Sequence, residues 1–261
     1  KRHGKCVWGA HGTRVVTSPS YWNQPAKWNR EAEKSGIRRR VFCASTADVF
    51  ESWKGPMEAG WGVCKGSNYV KGPDGELHLH GYICGTRKSC KDWPDATMND
   101  FRAGLFEIIE QTPNLDWLLL TKRPQLVMRM VPESWQEAIP SNVWIGTSVE
   151  NQEEADRRIP HLLKCPAAVR FLSCEPLLGK VDLAEHFANG FDRSIPPIPY
   201  SSDIHWVIVG GESGPGKRPM DLSWARSIRD QCKAADVPFF GKQWDKVQRL
   251  PEDLMVREFP L

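Results

Sequence analysis

Polar and charged side chains follow directly after several apolar, strand-like segments of this 261-residue chain. They are Asp48, Lys122, Arg123, Ser148, Glu150, Ser173, Glu175, Glu212, Lys242 and Gln243. Carboxylates and amines of this kind can exchange protons with a substrate, and hydroxyls and amides can hold the polar groups of a small molecule. Polar residues also cap ordinary strands and form Lys–Glu ion pairs, so the functional interpretation depends on whether the fold brings these side chains together.

The elements that would position them are six apolar segments with the length of buried strands, at residues 41–44, 116–120, 142–146, 169–172, 204–209 and 237–240. Apolar stripes at helical spacing occupy residues 99–111, 152–163 and 223–235. Continuous apolar strands that alternate with helices predict a parallel sheet covered by helices. We predict an α/β fold with a parallel (β/α) partial barrel of the TIM-like type. A barrel gathers all its strand ends at one mouth, whereas an open doubly wound sheet needs polar residues only at its switch point.

The whole chain, residues 1–261, is predicted to form one barrel domain with an irregular insertion at about residues 52–98. The insertion contains potential zinc ligands, namely Cys64, His78, His80, Cys84 and Cys90. Zinc knuckles usually contain a closely spaced Cys-x-x-Cys pair, which the insertion lacks. Ordinary loop residues are therefore the favoured interpretation over a zinc site.

A glycine-rich loop, Gly-Gly-Glu-Ser-Gly-Pro-Gly, occupies residues 210–216. It matches neither the phosphate-binding loop of nucleotide hydrolases nor the dinucleotide-binding fingerprint. Gly210 and Gly211 would let a ligand approach the backbone, and Glu212 could hold an amino or hydroxyl group of that ligand. An equally open interpretation is a tight turn closed by a buried ion pair between Glu212 and Arg218.

The composition excludes some classes of protein and leaves others open. The net charge of +3, from 35 basic and 32 acidic residues, neither requires nor excludes nucleic acid. The twelve Trp residues favour a rich core, with stacking surfaces for bases as the alternative. The chain carries no hydrolase signature such as Gly-x-Ser-x-Gly or His-Glu-x-x-His. Without an apolar membrane span, a secretory signal or a compact disulfide framework, the sequence predicts a cytoplasmic protein.

Several strings taken together resemble a known family. They are Val-Phe-Cys-Ala-Ser at 41–45, Leu-Thr-Lys-Arg-Pro at 120–124, Asn-Val-Trp-Ile-Gly at 142–146, Ser-Val-Glu-Asn at 148–151, Arg-Phe-Leu-Ser at 170–173, Glu-Pro-Leu at 175–177 and Gly-Gly-Glu-Ser-Gly at 210–214. The combination resembles the three-Cys-motif family of phage and bacterial proteins of unknown function. That family is distantly similar to radical SAM proteins and to spore photoproduct lyase. The resemblance covers nearly the whole chain outside the insertion.

The resemblance implies a radical-SAM-like barrel. Such proteins hold a [4Fe–4S] cluster on three cysteines near the N-terminus, and the fourth iron binds S-adenosylmethionine, whose reductive cleavage gives a hydrogen-abstracting 5′-deoxyadenosyl radical. In the family these cysteines precede the segment that resembles residues 1–8 of this chain. We therefore expect no cluster ligand and no first barrel strand within the sequence, since Cys6 alone cannot supply three ligands.

The resemblance and the strand-end positions together imply roles for individual residues. The predicted catalytic residues are Lys122, Glu175, Glu212 and Lys242. The predicted cofactor-binding residues are Ser45, Asp48, Ser148, Glu150, Ser173, Gly210 and Gly211. The predicted substrate-binding residues are Arg123, Arg218 and Gln243, with nucleic acid as a candidate substrate.

Two other hypotheses remain open at this point. One is a non-catalytic barrel that binds a nucleotide or nucleic acid, for which Lys122, Arg123 and Arg218 supply cations. The other is a metal-independent barrel enzyme that uses carboxylates and lysines as acid and base. The latter requires a pocket of perturbed carboxylates, such as Glu150 and Glu175 lying close together.

Overall fold

The computed structural model describes residues 14–16, 19–43, 47–54, 57–59, 69–71, 77–79, 97–187, 204–245 and 247–260. These residues fall into two compact units, one within Lys1–Arg39 and Glu51–Leu115 and the other within Arg40–Phe50 and Asp116–Leu261. Ser45 and four zinc candidates lie outside the described residues, and for the fifth candidate only the backbone of its strand is described. The four are Cys64, His80, Cys84 and Cys90, and the fifth is His78.

The described strands are β1 (Arg14–Val16), β2 (Arg39–Cys43), β3 (Met57–Ala59), β4 (Tyr69–Lys71), β5 (Leu77–Leu79), β6 (Leu115–Thr121), β7 (Val143–Ser148), β8 (Val169–Cys174), β9 (Trp206–Gly210) and β10 (Phe239–Gln243). The described α-helices are α1 (Pro19–Trp22), α2 (Gln24–Ser35), α3 (Met98–Glu110), α4 (Val127–Met130), α5 (Gln152–Leu162), α6 (Ala184–Phe187) and α7 (Leu222–Ala235). Short 3-10 turns occupy Pro124–Leu126, Glu133–Trp135 and Glu252–Leu254.

The first unit contains the two long helices α2 and α3 and two short sheets, β1 parallel to β3 and β4 antiparallel to β5. Helix α2 ends at Gly36, whose φ of 65° is the left-handed conformation that glycine adopts without strain. Helix α3 begins with a capping box in which Thr97 and Asp100 satisfy each other's backbone N–H groups. The residues of α2 are mostly polar, so the apolar pattern did not predict this helix.

The second unit is built on a six-stranded sheet in the order β10-β9-β8-β7-β6-β2. All six strands run parallel, and the sheet curls into a half-barrel. These strands correspond to the six predicted apolar segments, each shifted or extended by one to three residues. The prediction of an α/β fold with a partial parallel barrel is therefore confirmed.

Ring contacts between non-neighbouring strands identify the concave face of the half-barrel. The Phe42 ring of β2 and the Phe171 ring of β8 are 6.2 Å apart, although β6 and β7 separate these strands in the sheet. Phe171 lies over Gly146 of β7, where an added Cβ would come within 2.3 Å of the phenyl ring. Trp144 of β7 likewise contacts Trp206 of β9 across β8, at 6.2 Å between ring centroids. The concave face therefore holds a buried, largely aromatic cluster.

The segment at 256–258 covers the free edge of β10. Gly241 donates its N–H to the Val256 carbonyl oxygen at 3.0 Å, and Glu258 donates its N–H to the Phe239 carbonyl oxygen at 3.1 Å. An uncovered edge would offer these groups to other chains. The following residue, Phe259, contacts the ring of Trp206 at a centroid distance of 5.3 Å.

The three predicted helices correspond to α3, α5 and α7, each within one residue of its predicted ends. Asn151 caps α5, since its Oδ1 accepts the N–H of Glu154 at 3.0 Å. Helix α7 begins one residue before the predicted start, because Asp221 is its N-cap. No helix in the described part of the chain combines the length and apolar character needed to cross a membrane.

Candidate active site at the carboxyl ends of the half-barrel strands

Two serine hydroxyls lie side by side at the carboxyl ends of β7 and β8. Ser148 and Ser173 are partners in the strand register, so both project from the same face of the sheet. They follow Trp144 and Phe171 at even spacing, which assigns them to the concave face. Both are buried. The structure thus brings together two of the predicted cofactor-binding residues.

A buried carboxylate, Glu150, is held between two cations. Lys122 donates from Nζ to Oε1 of Glu150, and Arg158 donates from Nη1 to Oε2 at 2.7 Å. Arg158 also donates to the Ser148 carbonyl oxygen at 2.8 Å and pairs with Glu154 at 2.8 Å. Burial of a carboxylate is tolerated when charged donors satisfy both of its oxygens. Arg158 was not among the predicted site residues. Its position four residues after Glu154 in a predicted helix is nevertheless typical of an ion pair.

The amine of Lys122 has unusual acid–base properties. Burial lowers the pKa of Lys122 below its ordinary value, and the positive charge of Arg158 lowers it further. About half of the side chain nevertheless remains exposed. An amine with a lowered pKa releases its proton more readily than a surface lysine, which suits proton transfer. We call the site at the carboxyl ends of the six parallel strands the rim of the half-barrel.

The carboxylate of Asp48 joins the ends of β2 and β6. It accepts four hydrogen bonds: from Thr121 Oγ1 at 2.7 Å, Lys122 N at 3.1 Å, Arg123 Nη1 at 2.8 Å and Phe50 N at 3.0 Å. Four donors use the full accepting capacity of a carboxylate. Asp48 therefore fixes the backbone next to Lys122. Its predicted role in cofactor binding would require it to give up one of these bonds.

Glu175 and Lys242 form an ion pair of 2.7 Å across β9. The other oxygen of Glu175 accepts from Gln243 Nε2 at 3.2 Å, and the same amide nitrogen donates to the Gly211 carbonyl oxygen at 3.1 Å. Glu175 lies against Gly210, where an added Cβ would be 3.3 Å from its carboxyl carbon. All five of these residues were predicted site residues, and the structure brings them together.

Glu212 and Arg218 close the glycine-rich loop. The guanidinium donates to both carboxylate oxygens at 2.9 Å, and the backbone N–H of Arg218 donates to the carboxylate at 2.8 Å. These hydrogen bonds lower the pKa of Glu212 to about 2. Gly216, with a φ of 71°, provides the left-handed turn between the two partners. This arrangement corresponds to the tight-turn interpretation, although the ion pair is exposed rather than buried.

The described cations of this rim are each paired with a carboxylate. The pairs are Lys122 with Glu150, Arg123 with Asp48, Arg158 with Glu150 and Glu154, Lys217 with Asp245, Arg218 with Glu212, and Lys242 with Glu175. Opposite charges therefore alternate around the carboxyl ends of the strands. A surface of this kind complements a ligand that carries both signs of charge better than it complements a polyanion.

Glu150 and Glu175 belong to separate ion pairs. Each has its own lysine, and within the described residues no hydrogen bond or shared cation links the two carboxylates. The acid–base pair required by the metal-independent hypothesis is therefore not formed by direct contact of these residues.

Three of the described cysteines, Cys165, Cys174 and Cys232, are buried. Burial raises the pKa of Cys165 and Cys232 to about 12, and it raises that of Cys174 as well. Among the residues that the structure describes, no group of three or more His, Cys, Asp or Glu side chains is placed to hold a metal ion.

The fold and the rim define an α/β half-barrel protein with a polar site at the carboxyl ends of its parallel strands. The chain belongs to a family of proteins of unknown function, DUF5131, whose sequence model matches residues 87–256. That match includes β6 to β10 and the rim residues from Lys122 to Lys242, whereas Asp48 precedes it. No match was found among curated proteins or among solved structures.

Proposed function

We propose that this protein is a radical-SAM-like barrel enzyme of phage or bacterial origin that binds S-adenosylmethionine at the rim of its half-barrel. The observation that carries the proposal is the ring of paired charges at the carboxyl ends of the parallel strands. S-adenosylmethionine carries a carboxylate, an ammonium group and a sulfonium centre, and so presents both signs of charge. Such a ligand can exchange partners with an ion pair without leaving a charge unpaired, which avoids the main cost of binding at a charged site.

The residues of the rim match the chemical groups of that cofactor. Glu175 and Lys242 would place a carboxylate and an ammonium group beside the charged groups of the cofactor, since these two residues already form an ion pair of opposite charges. The adjacent hydroxyls of Ser148 and Ser173 are suited to ribose hydroxyls. Gly210 lets the side chain of Glu175 lie close against the backbone of β9 and so positions this carboxylate at the rim.

The cluster would be held by the three cysteines that the resemblance implies before residue 1. When bound, the cluster and its cofactor supply hydrogen-atom abstraction. Lys122 would hold or release a proton at Nζ beside Glu150, in keeping with its lowered pKa. A reducing cytoplasm suits such a cluster, and nucleic acid or a derivative of it is the candidate substrate.

The alternative is a non-catalytic nucleotide- or nucleic-acid-binding barrel. Binding of a polymer depends on cations that neutralise successive phosphates. Lys122, Arg123 and Arg218 are all paired with carboxylates, so the rim does not favour this alternative.

The cluster is tested by expressing the native reading frame anaerobically, with any codons that precede residue 1, and reconstituting it with iron and sulfide. The 261-residue chain is treated in parallel. We expect about four irons per chain in the longer form only, as for a cluster held by cysteines. Absence of iron from both forms would refute the radical mechanism.

Cofactor binding at the rim is tested separately, by equilibrium dialysis of S-adenosylmethionine against the 261-residue chain. Glu175→Gln removes one charge-assisted partner and is expected to weaken binding about tenfold. The matched control is Asp253→Asn, which removes a carboxylate paired with Arg226 outside the rim at 2.9 Å. Equal affinities for the wild type and Glu175→Gln would contradict the proposed subsite.

A further inference from the structure

Aromatic rings and guanidinium groups lie together on the concave face, next to the rim at Lys242, whose Nζ is 5.9 Å from the centroid of the Phe42 ring. The Arg40 guanidinium carbon lies 4.1 Å from the ring centroid of Phe259, and that of Arg257 lies 4.7 Å from the ring centroid of Phe240. The two phenyl rings are 5.2 Å apart. Together with Phe42, whose ring contacts Phe171 on the same face, we name these residues the aromatic–arginine surface.

This surface is accessible, whereas the cluster beneath it is not. Phe42 is 40% exposed and Phe259 is 38% exposed. Trp144, Trp206 and Phe171 beneath them are buried and fix the position of the exposed rings. Exposed aromatic rings held on a rigid base are suited to stacking against a planar ligand.

The charge of this surface differs from that of the rim. Neither Arg40 nor Arg257 has a carboxylate within ion-pairing distance among the residues that the structure describes. Arg40 contacts Trp144 and Phe259, and Arg257 donates to the backbone carbonyl oxygens of Val256 and Lys242. Two cations beside exposed aromatic rings therefore lack a negatively charged partner that a ligand could supply.

We infer that the aromatic–arginine surface binds one nucleotide unit of the substrate, with the base against Phe42 and Phe259 and the phosphate at Arg40 and Arg257. Aromatic faces stack on nucleobases, and guanidinium groups form paired hydrogen bonds with phosphate. Two unpaired cations suit a single phosphate group, whereas a polymer would need a longer track of them. A second copy of the chain docked symmetrically on this face would bring like charges together. The statement that this nucleotide is the substrate rests on the proposed function, but its binding does not.

The test is calorimetric titration of the 261-residue chain with adenosine 5′-monophosphate, adenosine and ribose 5-phosphate. We expect saturable binding of the monophosphate and weaker binding of the other two. Arg40→Gln and Arg257→Gln should each weaken monophosphate binding about tenfold, the effect of one charge-assisted contact. Phe42→Leu should weaken both monophosphate and adenosine about tenfold through loss of stacking. The matched control is Arg226→Gln, which changes the same charge at a guanidinium already paired with Asp253.

Several results would overturn the inference. They are an absence of saturable monophosphate binding, an equal loss in Arg226→Gln, and ribose 5-phosphate binding as tight as that of the monophosphate. Displacement of the monophosphate by S-adenosylmethionine would overturn the substrate assignment, because the cofactor's own adenosine would then occupy this face. Failure of the proposed function has a different signature, the absence of iron from the longer form, and it leaves monophosphate binding unchanged.

Discussion

Glu175 and Lys242 form their ion pair over the top of a strand that lies between them. Glu175 follows β8 and Lys242 belongs to β10, and β9 separates these strands in the sheet. The carboxyl side chain crosses β9 at Gly210, the position where an added Cβ would be 3.3 Å from the Glu175 carboxyl carbon. The absence of a side chain at Gly210 therefore leaves the space in which Glu175 reaches Lys242.

We predict that Gly210→Val displaces Glu175 and weakens binding of S-adenosylmethionine about tenfold, the value of one charge-assisted hydrogen bond. Gly210→Ala should have a smaller effect, because the side chain of Glu175 can shift by a few tenths of an ångström. The measurement is equilibrium dialysis. The matched control is Gly179→Ala, where the added Cβ would meet Asn151 at an ordinary 3.6 Å. Wild-type affinity in Gly210→Val would contradict the prediction.

The buried group formed by Lys122, Glu150 and Arg158 should respond unequally to substitution. Glu150→Gln removes one of the two carboxylates paired with the buried Arg158, which keeps its ion pair with Glu154, and we expect it to lower the free energy of unfolding by about 2 kcal/mol. Lys122→Met leaves Glu150 paired with Arg158 and should cost less than about 1 kcal/mol, because the lysine is half exposed. Urea unfolding followed by far-ultraviolet circular dichroism measures both values. Equal losses in the two variants would show that Arg158 is not the critical partner of Glu150.

The lowered pKa of Lys122 can be observed by chemical labelling. At a pH below the ordinary lysine value, we expect Lys122 to react with acetic anhydride faster than Lys233, which is exposed at the end of α7. Since the folded pKa lies below the unfolded one, this group makes the protein more stable as pH rises through the folded pKa. Mass spectrometry of the labelled peptides gives the relative rates. If Lys233 reacts first across the whole pH range, the prediction is wrong.

The ion pair of Glu212 with Arg218 should make the stability of the protein depend on pH in the acidic range. The pKa of Glu212 is about 2 in the folded protein, against about 4.3 in an unfolded chain. A lowered carboxyl pKa stabilises the fold above the unfolded value, and this stabilisation is lost as pH falls toward the folded value. We therefore expect the melting temperature of Glu212→Gln to lie below that of the wild type at pH 6 and to converge with it toward pH 2. A difference that persists unchanged in acid would exclude the ion pair as its cause.

The sequence predicted the strands of the half-barrel because each is a continuous apolar run, as expected for strands buried on both faces. It also predicted the polar rim, since the carboxyl ends of parallel strands meet at one edge. Which residues pair with each other within the rim could not be predicted from the sequence. Pairing of Glu175 with Lys242 depends on the curvature and register of three strands, and Arg158 reaches the rim from the second turn of α5.

The aromatic–arginine surface illustrates the same limit. Phe42 and Phe171 are far apart in the sequence and two strands apart in the sheet, and only curling brings their rings into contact. The periodicity of the sequence predicts which face of the sheet such residues occupy, but it does not predict which residues contact each other. Helix α2 was missed for a different reason, because its buried residues are only Pro25 and Ala32 and leave no apolar stripe.

The backbone pairing of 256–258 with β10 has a consequence for synthesis of the protein. While the ribosome is making the chain, β10 emerges before the residues that satisfy its outer N–H and carbonyl groups. Until those residues leave the exit tunnel, the nascent half-barrel presents an open strand edge to other nascent chains and to chaperones. Premature termination just before Val256 would make that transient exposure permanent, and the shortened product would associate through β10 rather than remain monodisperse.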